Sequence, residues 1–174
     1  VRVGINGYGR IGRSFHRALL DRGERAGVEL VAVNDPFGDS ETMAFLLKHD
    51  SVGRTLRNEV KVSHGGFSVD GKEVKKLDVR DPAEIPWAEH GIEVVIESTG
   101  VFTGRDAAAG HLEGGAKRVV ISAPPGDADI TLCLGVNDAA YDPAQHTVIS
   151  NASCTTNCLA PVAKVLNDRF GIEQ

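Results

Sequence analysis

Short apolar runs alternate along this chain with stretches of helical period, and that alternation fixes the class of fold. Val1-Arg2-Val3-Gly4-Ile5-Asn6 and Glu29-Leu30-Val31-Ala32-Val33-Asn34 read as strands, with a helical pattern carried between them by Phe15, Ala18 and Leu19. A second helix is predicted from Ser40 to Lys48, with Met43, Leu46 and Leu47 turned inward. Residues 60–79 change character: Val60-Lys61-Val62, Phe67-Ser68-Val69 and Glu73 to Val79 flank glycines, and Asp70-Gly71 is a hairpin signal, so this stretch reads as an antiparallel insertion. Ile92-Glu93-Val94-Val95-Ile96 is too continuously apolar for a half-exposed strand. A helix opened by the capping-box variant Thr103-Gly104-Arg105-Asp106 follows, then strands at 118–122, 130–135 and 147–150. Leu159, Val162, Ala163, Leu166 and Phe170 share one face of a last helix stopped at Gly171, and Pro161 is expected to kink it near the Asn157 carbonyl. The sum is an α/β protein with a mostly parallel sheet covered on both faces.

The first strand feeds Gly7-Tyr8-Gly9-Arg10-Ile11-Gly12 and then a helix, the setting that a dinucleotide-binding glycine loop requires. Gly7 permits the tight turn, Gly9 lets backbone approach a pyrophosphate, and Gly12 lets the helix pack on the strand. The second strand ends in Asp35, near the place of a ribose-binding carboxylate, though Asp35-Pro36 is also a turn in its own right. The fold expected is therefore Rossmann-like and doubly wound, carrying an antiparallel hairpin insertion. Thr99 and Ser122 stand at further strand ends, where ligands meet the carboxyl edge of a parallel sheet.

A second chemical signal lies at 151–158, Asn-Ala-Ser-Cys-Thr-Thr-Asn-Cys, where a strand ends and a helix begins. A cysteine in a helix's first turn meets unsatisfied N–H groups and the positive end of the dipole, which favour thiolate over thiol. The competing reading of Cys154 is a small buried hydrophobe. Its polar neighbours Ser153, Thr155, Thr156 and Asn157 favour the nucleophile. Cys158, one turn on, reads as packing. His16, His49, His64, His90, His111 and His146 are scattered, with none at metal-ligand spacing, so no metal is expected. His146 is separated from Cys154 by a strand that carries it to the opposite end of the sheet.

Composition narrows the class of partner. Nineteen basic and 24 acidic side chains give a net charge of −5, which offers no electrostatic footprint for nucleic acid or anionic membrane. Three cysteines are few and odd in number, which argues for a reducing compartment, and no apolar run approaches membrane-spanning length, so the cytoplasm is expected. A nucleotide-binding domain at 1–150 leaves only 151–174, one helix and little more. The sequence thus reads as the N-terminal half of a longer enzyme, with 151–174 opening a substrate domain.

These segments resemble phosphorylating glyceraldehyde-3-phosphate dehydrogenases. The resemblance rests on INGYGRIGR at 5–13, VAVNDPF at 31–37, RDP at 80–82, ESTGVFT at 97–103, GGAKRVVISAP at 114–124, GVN at 135–137 and SNASCTTNCLAP at 150–161, in unbroken order. It implies NAD as cofactor, contacted by Arg10 and Ile11 from the glycine loop, with Asp35 on the adenosine ribose, Arg80 approaching adenine and Ser122 along the nicotinamide side. It implies that Cys154 attacks the aldehyde of glyceraldehyde 3-phosphate, with Ser153 and Thr155 beside the substrate and the inorganic phosphate. It also implies a homotetramer, and a general-base histidine outside these residues, without which the 174 residues alone would not turn over. The related erythrose-4-phosphate dehydrogenase shares SNASCTTN, but Asn34-Asp35-Pro36-Phe37 favours the first activity. The other alternative is a dinucleotide-binding module without turnover.

Overall fold

A computed structural model describes residues 1–173. Strand β1 (Arg2–Asn6) leads into helix α1 (Arg10–Arg22), followed by β2 (Glu29–Asn34) and α2 (Ser40–Lys48). Two short strands, β3 (His49–Asp50) and β4 (Arg54–Thr55), pair into a separate antiparallel ribbon. Strands β5 (Val60–Ser63), β6 (Gly66–Val69) and β7 (Lys72–Leu77) come next, then β8 (Val94–Glu97), α3 (Arg105–Glu113), β9 (Arg118–Ile121), β10 (Ile130–Thr131), β11 (Val148–Ser150) and α4 (Cys154–Phe170).

Nine strands form one sheet in the order β10-β11-β9-β8-β1-β2-β7-β6-β5. Every neighbouring pair from β10 to β7 is parallel, and the pairs β7·β6 and β6·β5 are antiparallel. The hairpin expected as an insertion is therefore part of the main sheet, because its third strand lies parallel to β2 and carries the other two onto the edge. Val3, Ile5, Val33 and Ile96 face one core with Met43 and Leu47 of α2. Ala32 and Val95, alternating with them along the same strands, face the opposite core with Trp87 and Ile85. Ala108 of α3 packs there on Val119, Ile121 and Val148. The doubly wound reading holds.

Local details depart from the sequence expectation for physical reasons. The capping box before α3 does not form: Gly104 is the N-cap without a side-chain bond, and the Arg105 N–H is taken at 2.8 Å by Asp127 Oδ1, 22 positions further on. Strand β10 stops after two residues because Cys133 to Asn137 close a turn, with the Val136 N–H on the Cys133 carbonyl at 3.0 Å. Leu46 is only half-buried, with Ala44 taking the inward place beside Met43. Helix α4 runs through Pro161 as one element of 17 residues. It has no buried residue; Leu159, Val162, Val165 and Leu166 are all exposed, and Cys158 is exposed rather than packed.

One buried pair sets a pH dependence. The Tyr8 hydroxyl, from the glycine loop, lies 2.6 Å from His16 Nδ1 on α1, and both rings pack on Phe67. Burial pushes the Tyr8 phenol well above its ordinary range, so it donates and His16 accepts. Burial also lowers His16 from 6.5 to about 4. Since the unfolded chain then binds this proton first, the contribution is intact above pH 6.5 and is lost as pH falls from there towards 4. Between pH 6.5 and 5 the loss is about 2 kcal/mol. Urea unfolding of wild type and His16→Gln at both pH values is expected to show the wild type losing that much more. Parallel losses would contradict the assignment.

Candidate functional site at the strand ends

Parallel register brings Leu77, Asn34, Asn6, Glu97, Ile121, Ser150 and Thr131 into one row across the sheet. This row is the carboxyl end of the sheet, the edge from which ligand-binding loops of doubly wound folds depart. The residues singled out in the sequence leave from it: Gly7 follows Asn6, Asp35 follows Asn34, Ser122 follows Ile121, and the cysteine segment follows Ser150.

The glycine loop shows three different needs. Gly7 has φ of 86°, and a Cβ there would come within 2.7 Å of the Thr99 backbone nitrogen. A Cβ on Gly12 would sit 2.4 Å from the Gly7 carbonyl oxygen, so this glycine lets α1 close on the loop. Gly9 has an ordinary φ of −72°, and a Cβ on it would meet nothing within 4 Å. Folding does not explain Gly9. Helix α1 moreover begins without a side-chain cap or an acidic residue in its first turn, whereas Asp39 caps α2 and Ser153 caps α4. Open space over uncapped N–H groups suits an anion that approaches the backbone, and so fits the pyrophosphate of a dinucleotide.

A cavity of about 350 Å³ opens beside this loop, lined by Asn6, Gly7, Gly9, Asn34, Asp35, Pro36, Phe37, Val79, Arg80, Ser98, Thr99, Val101 and Phe102. The Asp35 carboxylate accepts the Tyr8 N–H at 2.9 Å and the Phe37 N–H at 3.0 Å. It braces the glycine loop and shapes its own turn while lining the cavity. The Arg80 guanidinium lies 5.6 Å from the centre of the Phe37 ring, with both side chains exposed at the mouth. Thr99 is held by Glu97, whose carboxylate accepts the Thr99 N–H at 2.8 Å and its hydroxyl.

Other expected residues lie elsewhere. Arg10 turns away to an ion pair with Asp50 at 3.2 Å, and Ile11 is 51% exposed. Both line a second, wider hollow between α1 and the 50–58 segment. Neither lines the cavity beside the glycine loop. Ser122 is half-buried at the end of β9, outside the cavity lining.

Cys154 is the first residue of α4 and is exposed. The bend that delivers it is strained, since Ala152 has φ of 64°. The Ala152 N–H is held by Ser150 Oγ at 3.0 Å, and the Asn157 amide donates to the Asn151 and Ser153 carbonyls at 2.7 and 2.9 Å. Ser153 Oγ takes the Thr156 N–H at 2.9 Å and lies 2.8 Å from the Thr155 hydroxyl. The N–H groups of Cys154 and Thr155 have no protein partner among the described residues. Asp129 anchors the start of β11: burial works against its charge, but the Val148 N–H, Arg105 and the Thr147 N–H and hydroxyl outweigh that and hold its carboxyl well below the usual range. From β1 to β11 is three inter-strand steps, roughly 14 Å. The cavity does not reach Cys154, but both lie along one sheet edge at a separation an extended dinucleotide can span. His146 sits before β11, with Nδ1 accepting the Asp142 N–H at 2.9 Å, at the other end of the sheet.

Sequence reasoning missed Asn6, Asn34, Ser98, Phe37 and Phe102 as lining residues and Glu97 beneath them. Their available signal was position, since a polar residue closing an apolar parallel strand stands at the ligand edge. Among the described residues no three His, Cys, Asp or Glu side chains are grouped to hold a metal ion, and no helix is long and apolar enough to cross a membrane.

Comparison with known proteins agrees with this geometry. Residues 1–105 match the family described as glyceraldehyde 3-phosphate dehydrogenase, NAD binding domain, and 153–174 match its C-terminal domain. The chain is 58% identical over 172 residues to glyceraldehyde-3-phosphate dehydrogenase of Streptomyces coelicolor, covering 99% of this chain and 50% of that protein. It is 56% identical over 174 residues to glyceraldehyde-3-phosphate dehydrogenase 1 of Bacillus subtilis (100% and 51%) and 55% identical over 172 residues to the Yarrowia lipolytica enzyme (99% and 49%). The chain spans about half the length of the curated relatives it matches.

Proposed function

This chain belongs to the glyceraldehyde-3-phosphate dehydrogenase family, and from that membership and the strand-end geometry we infer the NAD-dependent oxidative phosphorylation of glyceraldehyde 3-phosphate to 1,3-bisphosphoglycerate. The observation that carries the reading is an exposed thiol, Cys154, opening a helix on the sheet edge that also holds the uncapped glycine loop. Residues 1–150 are the NAD-binding unit and 151–174 begin the catalytic domain. The loop Gly7, Gly9, Gly12 with the first turn at Arg10 and Ile11 holds the pyrophosphate, Asp35 the adenosine ribose, Arg80 the adenine side, and Thr99 and Ser122 the path towards the nicotinamide.

The Cys154 sulfur adds to the aldehyde carbon and makes a hemithioacetal. NAD held by the glycine loop and Asp35 would supply the hydride acceptor, and loss of hydride from this carbon leaves a thioester on Cys154. A histidine in the remainder of the full-length protein takes the hydroxyl proton. An oxygen of inorganic phosphate then attacks the thioester carbonyl, the C–S bond breaks, and Cys154 leaves as thiolate. Ser153 and Thr155 adjoin Cys154 in the chain, and the N–H groups of Cys154 and Thr155, unpaired among the described residues, are donors available to the negative charge that develops. The apolar stripe Leu159, Val162, Val165 and Leu166 is covered by the remainder of the protein, which assembles as a cytoplasmic homotetramer. The 174 residues alone bind NAD without turning over. The test is NADH formation by the full-length protein: it should require both glyceraldehyde 3-phosphate and inorganic phosphate, and a preference for erythrose 4-phosphate would overturn the substrate assignment.

Asp35 also sets cofactor choice. A 2′-phosphate at about 4 Å from its carboxylate meets repulsion on the order of 4 kcal/mol per charge pair at an effective dielectric near 20, before screening. Half of that leaves more than a tenfold preference for NAD over NADP. Titrating both nucleotides against wild type and Asp35→Asn should show the preference collapse in the variant. Equal affinities in the wild type would remove this role.

A further inference from the structure

A buried hydrogen-bond chain runs beneath the cavity and converges on one carboxylate. Glu97 is 1% exposed, and its oxygens face donors only. Oε1 accepts from the Thr99 N–H and hydroxyl; Oε2 accepts from Asn6 Nδ2 at 2.6 Å and lies 2.9 Å from His111 Nε2. Indole N–H can only donate, and Trp87 Nε1 donates to His111 Nδ1 at 3.0 Å. His111 is thereby a neutral ring with its proton on Nε2, directed at Glu97. From the other side, the Val79 N–H donates to Asn34 Oδ1 at 2.9 Å, Asn34 Nδ2 donates to Asn6 Oδ1 at 2.7 Å, and Asn6 passes the chain on to Glu97. Both branches are polarised towards the same charge, the arrangement in which successive bonds strengthen one another.

The members stand one residue before the groups assigned to the cofactor. Asn6 precedes Gly7, Asn34 precedes Asp35, and Val79 precedes Arg80, while Thr99 lines the cavity itself. We propose that Glu97 is a positioning residue for the dinucleotide: as the common acceptor it fixes the relative placement of the glycine loop, the Asp35 turn, the Arg80 segment and the Thr99 turn before the cofactor arrives, with Trp87 and His111 holding it from below. This rests on the reading of the cavity as the NAD site. Glu97 does not touch the reacting atoms, and Cys154 lies outside the chain of bonds.

An amide of the same shape cannot accept on both sides, so Glu97→Gln turns an NH₂ group against either Thr99 or the Asn6 and His111 donors. In the full-length enzyme this variant is expected to weaken NAD binding 10- to 100-fold and to raise KM for NAD accordingly, while kcat at saturating NAD stays within threefold. Titrating the reactive Cys154 thiol counts folded sites, so affinity is expressed per folded site and a loss of folded protein alone does not imitate the effect. Asn34→Ser, which cuts the far branch, provides the second variant and should shift NAD affinity in the same direction. Indole emission, read as the difference from Trp87→Phe, should change in Glu97→Gln as the charge that His111 faces is removed. Unchanged NAD affinity per folded site in both variants would overturn the proposal, and so would a kcat loss with KM untouched. A wild type that fails to bind NAD would instead sink the reading of the cavity itself.

Discussion

Replacing Cys154 by serine in the full-length protein is expected to abolish phosphorylating oxidation of glyceraldehyde 3-phosphate, with kcat falling on the order of 10⁴-fold or more. Two steps fail together. A serine hydroxyl at neutral pH is almost wholly protonated and adds poorly to the aldehyde without a dedicated base. An ester formed at that position would also resist attack by phosphate far more than a thioester does. The fold has no reason to change, since residue 154 is exposed and its bend is held by Ser150, Asn157 and the Ser153 cap rather than by the sulfur. NAD affinity should stay within about twofold because Cys154 does not line the cavity. Steady-state NADH formation and equilibrium NAD titration on the same preparation separate the two. Substantial turnover by the serine variant would contradict the mechanism.

Replacing Gly9 by valine is expected to do the reverse, leaving the protein folded and the thiol in place while NAD binding falls by about 100-fold or more, some 3 kcal/mol. The backbone at Gly9 is extended, its Cβ direction is empty, and a glycine N-cap exchanged for valine costs roughly 1 kcal/mol at most. The new methyl groups would occupy the space over the α1 N–H groups and cost the pyrophosphate its charge-assisted hydrogen bonds. Gly12→Val is the instructive contrast, because a side chain there meets the Gly7 carbonyl and Ile5 and should unfold the loop. Calorimetric unfolding beside NAD titration distinguishes the two glycines. Undiminished NAD binding by Gly9→Val would place the cofactor elsewhere.

The parts of this site that could be read from sequence are those encoded over short distances. Gly7 to Gly12 announce a turn and a helix start, Asp35 closes a strand, and Cys154 follows a strand and opens a helix, so local period and turn chemistry suffice. The parts that stayed hidden depend on pairing far along the chain. Asn6 meets Asn34 at a separation of 28 residues and Glu97 at 91, and only the parallel register places them in one row. Asp127 replaces the expected cap of α3 for the same reason. Ala152 holds a positive φ with no glycine to advertise it. Cys158 shows the limit of reading burial from a place on a helix, which does not say whether these residues supply its cover.

The reactivity proposed for Cys154 comes from where the fold puts it, and Cys158 provides an internal control. Both are exposed on α4, but Cys154 is its first residue and Cys158 stands one turn in, while Cys133 is buried. Negative charge on sulfur is favoured at the free N–H groups of a helix start and much less one turn on. The measurement is iodoacetamide labelling of the full-length enzyme across pH, resolved at each cysteine by mass. The expected result is Cys154 alkylated roughly tenfold or more faster than Cys158 at neutral pH, with Cys133 slowest. Equal rates at Cys154 and Cys158 would contradict the account.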